Sequence, residues 1–298
     1  MAPRVIVVAK QSAYARYIED EQDPRAKSLL RRGDPTVASW LEAHGEHVQT
    51  VETVQQALGA LGARAMFLER PHAEFDAADA DLVVSVGGDG TLLAASHNIG
   101  SVPLLGVNSS PRHSVGYFCA AHRHNAKQLL QRALAGRLRK VRLTRMKVTV
   151  NGRVRARRVL NEALFCHSSP AATSRYLIGY RSNTEEQRSS GVWVGPAAGS
   201  TAAQYSAGGK TLPFGSKKLQ VVIREPYVPD GRRYDLLRFS VAEGESVTLR
   251  SKMHDARMFL DGPYRQIAVG LGDTVKLSAS DQPLVLLGLA GRQRHRFR

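Results

Sequence analysis

Residues 81–97 read Asp-Leu-Val-Val-Ser-Val-Gly-Gly-Asp-Gly-Thr-Leu-Leu-Ala-Ala-Ser-His, and the architecture of the N-terminal half follows from them. The run Asp81 to Val86 is rich in valine, which is typical of a parallel strand covered on both faces. Glycines end this strand, and Thr91 to His97 is predicted to be the helix that follows it. Ligands of such folds bind where loops leave the carboxyl ends of strands, so a site is expected near Gly87.

The residues before this stretch repeat the alternation of strand and helix. Val5 to Ala9 and Ala63 to Leu68 are predicted strands, and Pro35 to Gly45 and Val51 to Leu61 are predicted helices, because apolar residues recur there at helical spacing. This βαβ order predicts a Rossmann-like α/β domain over residues 1–136.

The pattern changes to strict alternation in the second half. Val141, Leu143 and the apolar residues from Met146 to Val150 alternate with basic or hydroxyl residues, and Asn151-Gly152 supplies a hairpin turn. Further alternating runs are Leu219 to Arg224, Leu236 to Val241, Ser246 to Arg250, Arg257 to Leu260 and Thr274 to Ser278. The fold class is therefore α/β plus all-β. A C-terminal antiparallel β-sandwich domain is predicted over residues 137–298, with the last strand and the basic tail returning to the first domain.

The amino-acid composition limits the kinds of partner expected for this protein. With 42 Lys and Arg against 26 Asp and Glu, the formal net charge is +16, which attracts phosphate-bearing molecules. The cations cluster between Arg132 and Arg158 and at Arg292, Arg294, Arg296 and Arg298. No aromatic residues are interleaved with them, so a solvated surface is favoured and a nucleic-acid partner is not expected. Two cysteines and no apolar stretch near the length of a membrane span predict a cytoplasmic protein with no membrane partner.

The glycine loop carries the clearest chemical signal. Gly87, Gly88 and Gly90 let the backbone approach a ligand and adopt positive φ, and N–H groups of the helix N-terminus, at Thr91, suit a phosphate. Asp89 in the middle would repel that phosphate unless it binds Mg²⁺ or accepts a proton from an attacking hydroxyl. This predicts phosphoryl transfer, and a purely structural tight turn remains the alternative.

Two further segments could contact a nucleotide. Gly199-Ser200-Thr201-Ala202, with Ser206 after it, offers small residues and hydroxyl groups, or else serves a tight crossing from sheet to loop. Asn161-Glu162 follows the apolar Val159-Leu160 and could bind two hydroxyls of a sugar, or else form a turn.

Taken in order, Gly87 to Thr91, Asn161-Glu162 and Gly199 to Ala202 resemble the NAD kinase family. In that family a Gly-Gly-Asp-Gly-Thr loop, an Asn-Glu pair and a Gly-Ser-Thr-Ala segment build one site. Val107-Asn108 with Gly116-Tyr117 is similar to the family's Val-Asn…Gly-Phe stretch, and Asp261-Gly262 is similar to its late Asp-Gly turn.

Other stretches resemble the divergent mitochondrial-type branch of the family. They are Tyr14 to Glu46, Asn108 to Arg112, and Ser189-Ser190-Gly191. Four positions depart from the usual pattern: Ser190 stands where many members have Asp, Ala198 lies in a changed segment before Gly199, Ala203 replaces a tyrosine, and Pro263 stands where glutamine is common. These changes affect the nicotinamide side of the predicted site.

The resemblance implies transfer of the γ-phosphoryl group of ATP, with Mg²⁺, to the 2′-hydroxyl of the adenosine ribose of NAD, which gives NADP. It implies that Asp89 accepts the proton and that Gly87, Gly88, Gly90 and Thr91 line the phosphates. The NAD-binding residues that it implies are Asn161, Glu162, Arg175, Arg188, Thr201, Ala202 and Ser206. For Arg175 and Arg188 a surface charge is the alternative. The family also implies a homo-oligomer, at least a dimer.

Several alternatives stay open from sequence. A diacylglycerol or sphingoid lipid kinase shares the glycine loop, and a non-catalytic basic protein that binds NAD or nucleic acid fits the charge. Polyphosphate could replace ATP, and NADH could replace NAD. Cys119, His122 and His124 are close in sequence, but a second Cys/His pair is missing, so no tightly bound metal site is expected.

Overall fold

The computed structural model describes residues 1–69 and 74–289, which divide into two units. One unit is Met1–Val141 with the segment that starts at Val285, and the other is Arg142–Leu284. The arginines from Arg292 to Arg298, for which a return to the first domain was predicted, lie outside the described residues. No helix in the described ranges is long and apolar enough to cross a membrane.

A largely parallel sheet forms the centre of the first unit. Every residue of the strand Leu82–Gly87 is buried, as the Val-rich run predicts. The strands, numbered in chain order over the whole protein, are β1 (Arg4–Ala9), β2 (Arg64–Leu68), β3 (Leu82–Gly87), β4 (Leu104–Asn108), β5 (Ala121–His122), β6 (Lys140–Leu143) and β19 (Leu284–Leu287).

The order of these strands is β2-β1-β3-β4-β19-β6, with β5 beside β4. β1 is parallel to both β2 and β3, and its residues Val5 to Ala9 lie opposite Leu82 to Val86. The chain therefore leaves β1 towards one edge of the sheet and leaves β3 towards the other, where β4 lies. This reversal marks the position at which open α/β sheets bind ligands.

Helices cover both faces of this sheet. They are α1 (Pro24–Arg31), α2 (Trp40–Ala60), α3 (Asp89–Ser96) and α4 (Ala126–Leu134), with a π-helical turn at Ala15–Asp20 and a 3₁₀ turn at Arg123–Asn125. Val54 and Leu58 of α2 and Leu130 of α4 share one apolar cluster with β1, β3 and β4. Leu92 of α3 lies against Gly106 of β4. The predicted Rossmann-like α/β architecture is confirmed.

Most of both helices predicted between residues 35 and 61 is helical, but the start at Pro35 and the break between them were wrong. Pro35 to Gly45 and Val51 to Leu61 were expected to be separate helices, but Trp40–Ala60 is continuous and Gly45 lies inside it. A glycine inside a helix costs about 1 kcal/mol relative to alanine, and burial of Val54, Ala57 and Leu58 compensates for that cost. Helix α1 was not predicted, although Asp23 caps it by accepting the N–H groups of Arg25 and Ala26.

Antiparallel strands build the second unit. They are β7 (Met146–Val150), β8 (Arg153–Val159), β9 (Ala163–His167), β10 (Ser174–Tyr180), β11 (Asn183–Ser189), β12 (Gly191–Pro196), β13 (Leu219–Arg224), β14 (Arg238–Val241), β15 (Ser246–Ser251), β16 (Ala256–Leu260), β17 (Arg265–Val269) and β18 (Thr274–Ala279). A 3₁₀ turn at Ala197–Thr201 precedes the short helix α5 (Ala203–Ser206).

These strands form two sheets with one shared core. Their orders are β11-β10-β15-β18-β7-β8 and β14-β13-β12-β9-β16-β17. Val148 and Tyr176 of the first sheet and Phe165 and Val192 of the second belong to the same buried cluster. Alternation therefore buries one face of each sheet against the other, and the predicted β-sandwich is confirmed.

The hairpin prediction holds at its turn and fails at its start. β7 and β8 pair antiparallel around Asn151 and Gly152, which both have positive φ, as a tight turn requires. Val141 and Leu143, however, lie in β6, which belongs to the sheet of the first unit. Alternation shows that a strand exists but does not specify the sheet that it joins.

One arginine is fully enclosed in the second unit. Arg145 has no exposed surface, and its Nε and Nη2 atoms donate to the carbonyl oxygens of Gln282 at 2.5 Å and Pro283 at 3.4 Å. Burial lowers the pKa of Arg145 to about 9, so the guanidinium is still charged at neutral pH. It fixes the segment that follows β18.

Replacing Arg145 by lysine is expected to lower the free energy of unfolding by about 2 kcal/mol, because an ammonium cannot bond both carbonyls in the geometry of a guanidinium. Urea unfolding of the two proteins measures the difference. Arg153→Lys on the exposed strand β8 is the matched control and should change stability by less than about 0.5 kcal/mol. Equal stability of the two variants would show that the buried guanidinium is dispensable.

Candidate active site

The glycine loop connects β3 to α3, and two of its three glycines, Gly87 and Gly88, are explained by lack of space rather than by conformation. A Cβ on Gly87 would lie 2.2 Å from Thr91 Oγ1, and a Cβ on Gly88 would lie 2.3 Å from Ser114 Oγ. A Cβ on Gly90 would face open space. The expectation that these glycines adopt positive φ was wrong, since the positive-φ glycines lie elsewhere in the chain. Close packing under the loop leaves its outer side, at Gly90, accessible.

Asp89 is the first residue of α3, and its carboxylate is oriented by two backbone groups. Tyr117 N–H donates to Oδ2 and Phe118 N–H donates to Oδ1, each at 2.9 Å. A carboxylate has about four acceptor positions, so each oxygen keeps capacity for a proton or a cation. Asp89 therefore has a fixed direction and remains able to accept a proton.

The segment that supplies these N–H groups is shaped by Asn108. Its Oδ1 accepts the N–H of Ser110 at 3.2 Å, and its Nδ2 donates to the carbonyl of Ser114 at 2.9 Å. Gly116 has a φ of 60°, and a Cβ there would lie 2.3 Å from Asn108 Nδ2. The Val-Asn and Gly-Tyr stretches noted in the sequence thus pack on each other and position the amides of Tyr117 and Phe118.

In the second unit, Asp261 organises the Asn161-Glu162 pair. Its carboxylate accepts the N–H groups of Leu160 at 2.8 Å, Asn161 at 2.6 Å and Glu162 at 3.1 Å. Its own N–H donates to the carbonyl of Glu162 at 2.9 Å. Asp261 has a φ of 50°, a conformation that Asp tolerates in turns. The late Asp-Gly turn therefore fixes the backbone of the pair.

The Gly199 segment packs on the same pair. A Cβ on Gly199 would lie 1.7 Å from the carbonyl oxygen of Asn161, and a Cβ on Gly195 would lie 2.4 Å from it. Thr201 and Ala202 follow directly, and both are partly exposed, while Ser206 at the end of α5 is exposed. The structure thus brings two of the predicted segments, 161–162 and 199–202, into contact.

Arg175 and Arg188 come together at a different place. They lie directly opposite each other on β10 and β11, and both are exposed. Like charges in this arrangement are unfavourable, and an anionic ligand would relieve the repulsion. They lie in the sheet that contains β10 and β11, whereas Gly199 packs on Asn161 just before β9 of the other sheet.

Glu162 also lines a cavity of about 470 Å³ in the second unit. The departures Ser190 and Pro263 line this cavity together with Trp193 and Arg224, whose guanidinium carbon lies 5.7 Å from the centre of the Trp193 ring. Of the other two departures, Ala198 is buried and Ala203 begins α5. Two of the four departures, Ser190 and Pro263, therefore lie at one cavity.

Burial raises the pKa of Glu162 to about 7, and the negative charge of Asp261 adds to the effect. Its Oε2 atom is buried without a hydrogen-bond partner among the described residues. An unpartnered buried carboxylate oxygen is costly, and a hydroxyl group of a ligand would supply the missing bond.

Metal binding at Cys119, His122 and His124 is not supported by the chemistry of the thiol. Burial raises the pKa of Cys119 to about 12, which opposes formation of the thiolate that a metal requires. The rings of His122 and His124 instead contact each other edge to face at 5.8 Å.

Stability should depend on pH through Glu162. Its pKa is about 7 when folded, against an ordinary value of 4.5. Between these values the folded chain keeps a proton that the unfolded chain releases, so its contribution to stability falls as pH rises from about 4.5 to about 7. Glu162→Gln, which cannot ionise, should gain about 3 kcal/mol over the wild type between pH 4.5 and pH 8. Urea unfolding at both pH values measures this gain, and a difference that does not change with pH would contradict it.

Gly199→Ala should disrupt the Asn161 backbone, because a Cβ would lie 1.7 Å from a carbonyl oxygen that Asp261 holds in place. We expect a loss of about 3 kcal/mol in the free energy of unfolding, measured by chemical denaturation. Gly215→Ala is the control, since a Cβ there meets nothing within 4 Å. Tolerance of alanine at Gly199 would mean that this packing is not required.

Comparisons with known proteins agree with this arrangement. A sequence profile of the ATP-NAD kinase N-terminal domain matches residues 6–138. A rice (Oryza sativa subsp. japonica) protein named probable NADH kinase is 36% identical over 279 residues, which cover 86% of each chain. Human mitochondrial NAD kinase 2 is 33% identical over 161 residues, 50% of this chain and 36% of that protein. The solved structure of yeast NADH kinase complexed with NADH superposes with a TM-score of 0.72 at 14% identity, covering 98% of this chain and 85% of that one.

A glycine loop that presents an oriented carboxylate at the end of a parallel strand is consistent with phosphoryl transfer, and the similar proteins assign the chain to the phosphotransferases. The chain belongs to the NAD kinase family. The resemblance seen in the sequence is confirmed, and so is the prediction of an enzyme. The lipid kinase and the non-catalytic basic protein that the glycine loop and the charge left open are set aside.

Sequence reasoning overlooked the groups that orient the site. The amides of Tyr117 and Phe118 are backbone donors, which no residue pattern reveals. Asp261 was noted only as a turn, although an Asp-Gly pair between two alternating runs was a signal for a side chain that bonds backbone amides.

Proposed function

We propose that this protein transfers the γ-phosphoryl group of ATP to the 2′-hydroxyl of the adenosine ribose of NAD or NADH. The hydroxyl oxygen forms a bond to the γ-phosphorus, the bond from that phosphorus to the bridging oxygen of ADP breaks, and the hydroxyl proton passes to Asp89. The products are NADP or NADPH and ADP. The observation that carries the proposal is the carboxylate of Asp89, held by the N–H groups of Tyr117 and Phe118 at the end of β3.

The geometry supports distinct roles for the two units. In the first, the amides of the glycine loop and of the α3 N-terminus suit the phosphates, and Gly87, Gly88, Gly90 and Thr91 are proposed to line them. In the second, the resemblance assigns the dinucleotide to Asn161, Glu162, Arg175, Arg188, Thr201, Ala202 and Ser206. The unpartnered Oε2 of Glu162 supports a bond from a ribose hydroxyl.

The redox state of the dinucleotide is a separate question. The rice relative, which is aligned over most of both chains, carries the name probable NADH kinase. Ser190 removes a carboxylate that many members of the family place at this position, and a carboxylate would favour the cationic nicotinamide ring of NAD over the neutral ring of NADH. We therefore propose that NADH is accepted at least as well as NAD.

Mg²⁺ is proposed to enter with ATP. When bound, it would neutralise charge on the β- and γ-phosphates. Magnesium prefers oxygen ligands, and the remaining acceptor positions of Asp89 fit that preference. The Thr91 hydroxyl is a second oxygen donor in the loop.

Asp89→Asn should lower kcat by at least about 100-fold, because an amide cannot accept the hydroxyl proton. The assay follows the product, NADP or NADPH, with an NADP-specific dehydrogenase, and starts from purified protein, ATP and Mg²⁺. Isothermal titration with NADH should give a Kd within about threefold of wild type, which shows that the dinucleotide site persists. Wild-type turnover in the variant would exclude Asp89 as the base.

The same assay run with NAD and with NADH tests the redox preference, and Ser190→Asp is the informative variant. A restored carboxylate should shift the ratio of kcat/KM values towards NAD by about 10-fold, equivalent to 1.4 kcal/mol. Ser168→Asp is the control, because this residue lines the same cavity at another point. If the ratio of kcat/KM values for NAD and NADH is unchanged in Ser190→Asp, residue 190 does not determine the choice between the two substrates. Polyphosphate in place of ATP tests the donor.

Assembly as a homodimer and a cytoplasmic location are proposed from the family and the composition. A mass of about twice 32.6 kDa under native conditions is expected for the dimer.

A further inference from the structure

Lys10 stands at the carboxyl end of β1, beside the start of the glycine loop. Ala9 is paired with Val86, so Lys10 continues the register opposite Gly87. The N–H of Lys10 donates to the carbonyl of Val86 at 2.9 Å. Adjacent strands lie about 4.8 Å apart. This spacing is shorter than an extended lysine side chain, so the side chain of Lys10 is long enough to reach the loop.

The strand order makes this position one side of a crevice. The chain leaves β1 towards β2 and leaves β3 towards β4, so the two connections diverge from neighbouring strand ends. Ligands of open parallel sheets bind between such connections. Lys10 and the loop Gly87 to Thr91 therefore flank the same opening within the first unit.

The backbone of Lys10 is held from a second side by α2. His47 is buried in that helix and is hydrogen bonded to the backbone of Lys10. Burial, followed by the charge of Lys10, lowers the pKa of His47 to about 4, so the imidazole is neutral at pH 7. The lysine therefore extends from a fixed backbone, and His47 adds no second cation beside it.

The charge of Lys10 is incompletely balanced by its surroundings. Its side chain is half-buried, and burial lowers its pKa, an effect that the carboxylate of Glu46 opposes. Glu46 has other partners, since its Oε2 accepts the hydroxyl of Ser110 at 2.6 Å and its Oε1 lies 3.7 Å from Arg112 Nε. A partly desolvated ammonium that shares its carboxylate with another cation is well suited to an anionic ligand.

The loop would benefit from such a cation. Asp89 places a negative charge in the position where phosphates approach the N-terminus of α3, and like charges repel strongly in a partly desolvated site. Lysine binds phosphate as a point charge. An ammonium opposite Gly87 offsets the charge of Asp89 without blocking the acceptor positions of that carboxylate.

We propose that Lys10 binds the triphosphate of the donor nucleotide and is a further substrate-binding residue of this enzyme. The proposal rests on the proposed function, because it names the part of the donor site that β1 supplies. The triphosphate lies between the ammonium of Lys10 and the backbone amides at the start of α3.

Kinetics of Lys10→Met and Lys10→Arg test the proposal. Lys10→Met should raise the KM for ATP by at least 10-fold and leave the KM for NADH within twofold, since the lost charge faces only the donor. Lys10→Arg retains a cation and should recover most of the affinity. An unchanged KM for ATP, or a rise in the KM for NADH alone, would overturn the proposal.

Two controls separate phosphate binding from a structural ion pair. Glu46→Gln removes the nearby carboxylate. If the only role of Lys10 is an ion pair with Glu46, this variant should show the same rise in the KM for ATP as Lys10→Met. If Lys10 binds phosphate, the KM for ATP should be unchanged or lower. Lys127→Met, at an exposed position on α4, should behave as wild type.

A measurement on the wild-type protein tests the proposal without depending on whether a variant folds. Acetylation with acetic anhydride, read by mass spectrometry, should be slower at Lys10 when ATP and Mg²⁺ are present, and unchanged at Lys127. Equal labelling of Lys10 with and without ATP would contradict the assignment. If ATP protects Lys10 but the wild-type protein forms no NADP or NADPH, the proposed reaction is wrong and the donor site at Lys10 is supported. If the protein forms product but ATP does not protect Lys10, the reaction is supported and the assignment of Lys10 is wrong.

Discussion

The carboxylate of Asp89 accepts hydrogen bonds from two backbone N–H groups, and this interaction fixes the geometry of the candidate site in the first unit. These hydrogen bonds connect the loop after β3 to the segment after β4, so two neighbouring strand ends share one fixed geometry. The glycines beneath the loop exist because Thr91 and Ser114 occupy the space that side chains would need. A charged group at the start of a helix is thereby held in one direction, which is what proton transfer to a defined oxygen requires.

The second unit uses the same kind of interaction. Asp261 accepts three consecutive N–H groups and fixes the Asn161-Glu162 backbone, and Gly199 packs on the carbonyl of Asn161 with no room for a methyl group. In both units an aspartate that accepts backbone N–H groups fixes a segment for which ligand binding is proposed. Close backbone packing then makes a glycine obligatory nearby. The glycines at positions 87, 88 and 199 of the site segments thus have a steric cause.

Much of the fold was predictable because burial leaves a periodic trace. The Val-rich run at β3, the alternation in β13, β15, β16 and β18 and the Asn151-Gly152 turn are local patterns, and all were found where expected. The errors fall where local signals compete with packing. Gly45 suggested a helix end, yet α2 continues because its buried residues further along favour the helix. Val141 and Leu143 looked like the start of a hairpin, but β6 joins the parallel sheet, and a strand's partner is decided by contacts far away in sequence.

By itself, the sequence determined the fold class, the family and the position of the glycine loop, because these depend on periodicity and on residue types at fixed spacing. Only the tertiary structure decided which groups orient Asp89, that Asp261 rather than a neighbour in sequence fixes Asn161-Glu162, and that Lys10 lies opposite Gly87. These contacts join residues that are 28, 100 and 77 positions apart, by subtraction of their residue numbers. Contacts between residues so far apart in the chain leave no periodic pattern in the sequence. Only the pairing of strands and the path of loops in the folded chain establish these contacts.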